Sequence, residues 1–307
     1  MEDKSNLKYI FYGLAYLKHH WLRLLLVFSM SAVIISLSLV PVEVFRKIID
    51  EAIPSKNLHL IWIMVLIVFL AHIFILVVSY IQDMLLTKLQ LDITQKIQGD
   101  FFRHLLSLPS SHYSQFSEGQ LMEKVIDDSD EIVDSTFDLV ISPLLEIISI
   151  VITITYMFFV SSRLTFVALA FIPLFVLATI PVNRILRRKY SAIKKKLAEV
   201  YDTLQEKLSG MTEIITNNQQ EYETKELAKH LNSYNTLQYD YEKFSSKLQS
   251  VISIVSDFAP YTILLFAAYE IIQGYFEVGT LVAFSMLVPR LFGPVKDLAT
   301  KSWGLQN

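Results

Sequence analysis

Four ionisable side chains stand out within stretches that are chiefly apolar: His72, Glu146, Asp257 and Arg290. A charge in a low-dielectric medium is costly, so such groups line an aqueous pathway or pair with one another. Glu146 and Asp257 fit an acidic patch that would favour cationic, amphipathic molecules. They equally fit a structural pairing with Arg290, or a position near the ends of their helices where water reaches them. A lone histidine on an apolar helix, His72 reads as a hydrogen-bonded structural residue. Covalent chemistry is harder to place. No His-Glu-x-x-His or Gly-x-Ser-x-Gly run occurs, the seven histidines are scattered, and there is no cysteine. None of the eight glycines belongs to a Gly-x-x-x-x-Gly-Lys-Ser/Thr phosphate loop.

The elements that must hold these residues are membrane-spanning helices. Of 307 residues, 53% are hydrophobic and only 19% charged, and mean hydropathy is +0.43. Six apolar stretches have spanning length: Leu22–Val44, Leu58–Ile81, Leu139–Val160, Leu164–Val182, Val251–Ile272 and Val278–Val295. The first is too long for the core of a cleaved signal. Before it, Leu7, Ile10, Phe11, Leu14, Leu17 and Trp21 recur at helical spacing among Lys4, Lys8 and Lys18, the pattern of an interfacial helix over residues 1–20. A net charge of −3 offers no basic face to neutralise phosphates, so nucleic acid is not an expected partner.

Residues 82–138 and 183–250 are polar but keep a helical stripe. Leu186, Tyr190, Ile193, Leu197, Tyr201, Leu204, Leu208, Met211 and Ile215 step by three or four, as do Leu227, Leu231, Tyr234, Leu237, Tyr241, Phe244 and Leu248. Two antiparallel helical pairs follow, each projecting about 45 Å beyond the bilayer at ~1.5 Å per residue. The other connections, Arg46–Asn57, Ser161–Arg163 and Gln273–Glu277, are short. Arg184, Arg187, Arg188, Lys189, Lys194, Lys195 and Lys196 follow span four, which puts the long pairs, and with them both termini, on the cytoplasmic side.

This layout resembles the transmembrane domain of ABC exporters, and local runs add to the likeness. Pro41 with Ile48-Ile49-Asp50 is similar to the outer end of that family's first span. Leu105-Leu106-Ser107-Leu108-Pro109, then Gly119-Gln120-Leu121 and Asp127-Asp128, resembles its first intracellular loop. Phe171-Ile172-Pro173-Leu174 resembles its fourth span, and Gln205-Glu206-Lys207-Leu208-Ser209-Gly210 through Glu213-Ile214 its second cytoplasmic pair. Gly274 through Phe284, with Gly293-Pro294 beyond, resembles the junction of its last two spans.

The resemblance implies an all-α membrane protein of six transmembrane helices with an N-terminal elbow, assembled as a domain-swapped dimer with a second transmembrane half. It implies a bacterial plasma-membrane permease that exports hydrophobic or amphipathic drugs or lipids by alternating access. Its two tips would be coupling helices that dock on nucleotide-binding domains: Tyr113, Ser114, Gln115 and Phe116 at the first, Asn218, Gln219, Gln220, Glu221 and Tyr222 at the second. Glu146, Asp257 and Arg290 are the pathway candidates. ATP and magnesium would be held by a nucleotide-binding domain, which the sequence to Asn307 lacks; no cofactor or metal is expected on this chain. A secondary transporter or channel is the alternative, although no inverted repeat is visible. A membrane enzyme, receptor or structural protein is a more distant reading.

Overall fold

The computed structural model describes residues 13–109 and 117–301, without the side chains of 178–184, 187, 251–252, 255–257, 259 and 299–301. The helices are α1 (Trp21–Ser38), α2 (Val40–Lys47), α3 (Leu58–Ser107), α4 (Glu118–Thr136), α5 (Ser142–Val160), α6 (Ser162–Ser209), α7 (Met211–Thr216), α8 (Gln220–Ile272) and α9 (Val278–Lys301). π-Helical turns at Ile48–Ala52 and Phe137–Ile141 extend α2 and join α4 to α5. No strand occurs among the described residues. The all-α membrane architecture expected from the apolar stretches is the one found.

Four helical segments are long and apolar enough to cross a membrane: Gly13–Ala52, Leu58–Ser107, Glu118–Val160 and Val278–Leu298. Ser162–Leu177 and Pro260–Ile272 are apolar but shorter within the described residues. Most of the expected elbow helix, residues 1–12, lies outside the described residues. Residues 13–17 are helical and pass through a 3-10 turn, Lys18–His20, directly into α1.

The chain divides into two compact units, Met1–Ile172 with Pro260–Asn307, and Pro173–Ala259. In the first, α9 packs on α5 and α2, α1 packs on α3 and α5, and α4 returns along α3. α9 is the most enclosed helix: Ala283, Phe284, Leu287, Val288, Leu291 and Phe292 are buried at helical spacing. α3 instead exposes Trp62, Leu66, Phe69, Leu70, Phe74 and Val77, a surface suited to lipid tails. Beyond that stretch α3 turns inward. Leu89, Ile93 and Ile97 form a buried cluster with Leu17, Val133 and Ile141. Gly13 lies so close to Thr136 that a Cβ there would meet the threonine Oγ1 and come within 3.1 Å of its Cβ.

The second unit pairs the later part of α6 with the earlier part of α8. Tyr190 meets Tyr241 at 5.8 Å between ring centroids, the Lys189 ammonium lies 5.2 Å from the Phe244 ring, and Lys207 bonds Glu223. These contacts advance in opposite senses along the two helices, so the pair is antiparallel. Ile193 and Val200 are buried apolar residues of α6 along this pair.

Candidate functional site

Each expected site residue has a definite position or falls outside the described residues. Tyr113, Ser114, Gln115 and Phe116 lie outside them, as does the side chain of Asp257, a residue of α8. Glu146 is half-buried in the second turn of α5. His72, expected as a hydrogen-bonded structural residue, is exposed on α3. The partner found for Arg290 is Ser38, the last residue of α1. Its Nη1 donates to the Ser38 carbonyl at 2.6 Å and to Ser38 Oγ at 2.7 Å.

Two acidic residues that also fall within the apolar stretches were not singled out from sequence. Glu43 on α2 accepts Tyr156 Oη on α5 at 2.7 Å and Arg46 Nη2 at 2.8 Å. It lines a cavity of about 380 Å³ with Ser36, Leu39, Val40, Ile152, Tyr156 and Phe159. The Ser36 and Thr155 hydroxyls there donate back to their own helices, which leaves the walls greasy. Glu270, near the end of α8, is almost buried and accepts Arg163 Nη1 at 2.8 Å, while the guanidinium lies 4.8 Å from the Tyr275 ring. The rule that picked out Glu146 and Asp257 reaches both Glu43 and Glu270, since each interrupts an apolar run.

At the second tip the helical stripe does not run on through Ile215. α6 stops at Ser209, Gly210 intervenes, and α7 follows as a short separate helix. Two residues beyond α7, Asn218 adopts a φ of 51°. Asn218 N–H donates to the Ile215 carbonyl at 3.2 Å and Gln219 N–H to the Ile214 carbonyl at 3.0 Å, the paired bonds of a Schellman ending with asparagine in the left-handed position. Asn218 and Gln219 therefore form the turn, whereas Gln220, Glu221 and Tyr222 are already the first turn of α8. Below the turn, Lys207 of α6 and Glu223 of α8 clasp the two helices. The bonded Glu223 carboxylate holds Lys207 above the ordinary lysine pKa, and Glu206 and Glu226 add to the effect.

What the tip presents is apolar. Leu208, Met211, Ile215 and Tyr222 are all at least half exposed. A groove of about 590 Å³ beside them is lined by Tyr201, Leu204, Gln205, Leu208 and Ser209. The base of the first tip is fixed by a capping box. Ser117 Oγ accepts Gln120 N–H at 3.2 Å, and Gln120 Oε1 accepts Ser117 N–H at 2.9 Å. Ser117-Glu118-Gly119-Gln120 carries that signature in the sequence. Among the described residues no three histidine, aspartate or glutamate side chains gather to hold a metal.

Residues 24–295 match the family described as the ABC transporter transmembrane region. The chain is 28% identical over 220 residues to putative multidrug export ATP-binding/permease proteins of Staphylococcus aureus, among them those of strains NCTC 8325, COL and bovine RF122. The match covers 70% of this chain and 37% of each relative, so the chain corresponds to well under half of those proteins' length.

Proposed function

The chain belongs to the ABC transporter transmembrane family, and on that premise we propose that it is the permease part of an ATP-driven exporter. In this reading two such halves enclose one pathway and alternate its access between the two sides of the membrane. The single observation that carries the coupling role is the second tip. Leu208, Met211 and Ile215 stand exposed at the end of the pair, braced by the Lys207–Glu223 clasp and the Asn218 turn. An apolar end on a rigid rod suits insertion into a partner's groove, and the rod carries the partner's displacement to the spans.

The partner of that tip would be a nucleotide-binding domain. It would hold ATP and magnesium, for which this chain has no phosphate loop. Both tips and both termini face the cytoplasm in this scheme, following the arginines and lysines after span four. The cargo class is hydrophobic or amphipathic, a drug or a lipid. In this reading Glu146 and Asp257 face the pathway and favour a positively charged head, because a carboxylate in a low-dielectric setting attracts cations strongly.

The test uses the intact transporter in proteoliposomes. Met211→Asp, Tyr113→Ala and Tyr222→Ala should each lower transport per ATP hydrolysed. Glu146→Gln with Asp257→Asn should weaken export of cationic compounds more than of neutral ones. Unchanged coupling in all three tip variants would overturn the docking role, and an equal effect on cationic and neutral compounds would overturn the acidic patch.

A further inference from the structure

Charge is divided along the pair formed by α6 and α8. Residues 199–242, which take in the second tip, hold nine aspartates and glutamates against three lysines. Each of those lysines bonds a carboxylate: Lys207 with Glu223, Lys225 with Glu221 at 2.7 Å and Lys229 with Glu226 at 2.5 Å. Toward the spans the balance inverts. Seven arginines and lysines fall between Arg184 and Lys196 on α6, Lys243 and Lys247 stand on α8, and residues 183–198 and 243–256 contain no acid. Lys196 bonds Glu199 at 2.6 Å, at the border of the two zones.

The two basic stretches form one patch. Lys189 meets Phe244 and Tyr190 meets Tyr241, which puts Lys243 and Lys247 beside the first turns of the α6 stretch. Arg188, Lys189, Lys194, Lys195, Lys243 and Lys247 are exposed. The Lys194 ammonium lies 5.6 Å from the Tyr190 ring, so aromatic faces support Lys189 and Lys194. A ring face steadies a cation but has no net charge, and the patch stays positive. Arg184 and Arg188 stand four residues apart on one helix, as do Lys243 and Lys247, a spacing at which like charges repel. An anion from outside the chain relieves that repulsion.

The patch begins where the apolar stretches end. Arg184 lies two residues beyond Leu164–Val182, and Lys247 four residues before Val251–Ile272. From Arg184 to Lys189 α6 rises about 8 Å, close to the depth of one headgroup layer. Lys194, Lys195 and Lys196 lie roughly a Debye length farther out, still within reach of a charged surface. Tyr190, Tyr241 and Phe244 share this level, where aromatic rings favour the membrane boundary. We propose that the patch is a binding site for anionic phospholipids, whose phosphates it draws from the leaflet that borders it. The site needs only that α6 and α8 enter a bilayer, and it is independent of the cargo and of any motor domain.

Spin-labelled lipids test this with the intact protein in phosphatidylcholine bilayers. The motionally restricted fraction of labelled phosphatidylglycerol, set against that of labelled phosphatidylcholine, gives a relative association constant. The native protein should favour phosphatidylglycerol about fivefold at low salt, the factor that one cation at an anionic surface supplies. The preference should shrink as salt is raised. Lys243→Gln with Lys247→Gln should lower it, and Arg188→Gln and Lys195→Gln added to that pair should bring it near one. Lys225→Gln with Lys229→Gln removes the same charge from the same helix farther from the bilayer, and should leave it unchanged. Equal losses in the two double variants overturn the proposal, because net charge alone then explains them. So does a native preference near one or indifferent to salt. Loss of the preference in millimolar inorganic phosphate at constant ionic strength also overturns it, since free phosphate is then the ligand. The salt series and the two double variants decide the matter even if the fourfold variant fails to fold.

Discussion

Asp50 Oδ1 caps Gly279 across two spans, at 2.7 Å, and the same two residues cannot be separated without moving a helix end. A Cβ on residue 279 would collide with the Asp50 carboxylate and come within 2.6 Å of the Arg46 carbonyl. The carboxylate could turn aside, but the carbonyl is backbone and cannot. Gly279→Ala should therefore cost more than loss of the cap itself, which is about 1 kcal/mol. Melting temperatures in detergent should fall in the order native, Asp50→Asn, Asp50→Ala, Gly279→Ala. A Gly279→Ala protein as stable as Asp50→Asn contradicts the crowding.

Gly13 presses on Thr136 in the same way, where the entry helix meets the end of α4. The neighbouring cluster, Leu17 with Leu89, Ile93 and Ile97, is fully packed and has no slack to absorb a larger side chain. Overpacking of this kind costs ~1–3 kcal/mol. Gly13→Val should lower the melting temperature, and Gly13→Val with Thr136→Ala should recover part of the loss. Thermal unfolding of the four variants in a double-mutant cycle reads the coupling, and strictly additive losses count against the contact.

The membrane layout was legible in the sequence because lipid demands contiguous apolar residues, and contiguity is a one-dimensional property. The bonds between helices were not. Ser38, Tyr156 and Gly279 become partners of Arg290, Glu43 and Asp50 only through the angle and register at which helices cross, and spacing along one helix carries neither. Arg290 illustrates the gap. Its charge marked it as needing a partner, carboxylates were the obvious choice, and the partner turned out to be a carbonyl freed where α1 ends. At the tip, Leu208 and Met211 keep perfect helical spacing across Gly210, so periodicity hid the break. Periodicity also put Tyr201, Leu208, Leu231 and Leu237 on the packing stripe, yet all four are exposed. A stripe defines an arc of the helix, not the line within that arc where the neighbour lies.

Ser117 closes the entry to α4 with two reciprocal bonds. Replacing it by alanine removes the Oγ acceptor and leaves the Gln120 N–H to water. The expected loss is about 1 kcal/mol, local to the first turn. Hydrogen exchange at Gln120 should quicken in Ser117→Ala and stay slow in Ser117→Asp, whose carboxylate also accepts at a helix start. Equal exchange in native and Ser117→Ala protein would mean that the box is not populated in solution.

The Lys207–Glu223 clasp titrates at its lysine. Folding raises the Lys207 pKa, because Glu223 bonds the ammonium form, so the folded state holds that proton more tightly than the unfolded chain does. The stabilisation is therefore complete below the ordinary lysine value of ~10.4 and is lost as pH climbs through the raised value. Between neutral pH and about pH 9 the difference in melting temperature between native protein and Lys207→Met should stay constant. Above that window the difference should shrink, since the native lysine loses the charge that the methionine never had. Glu223→Gln alone should resemble Lys207→Met, and the double variant should lose little beyond either single one, as expected for partners that act as a unit. A gap that widens with rising pH would reverse the sign, and the clasp would then have to be assigned to another pair.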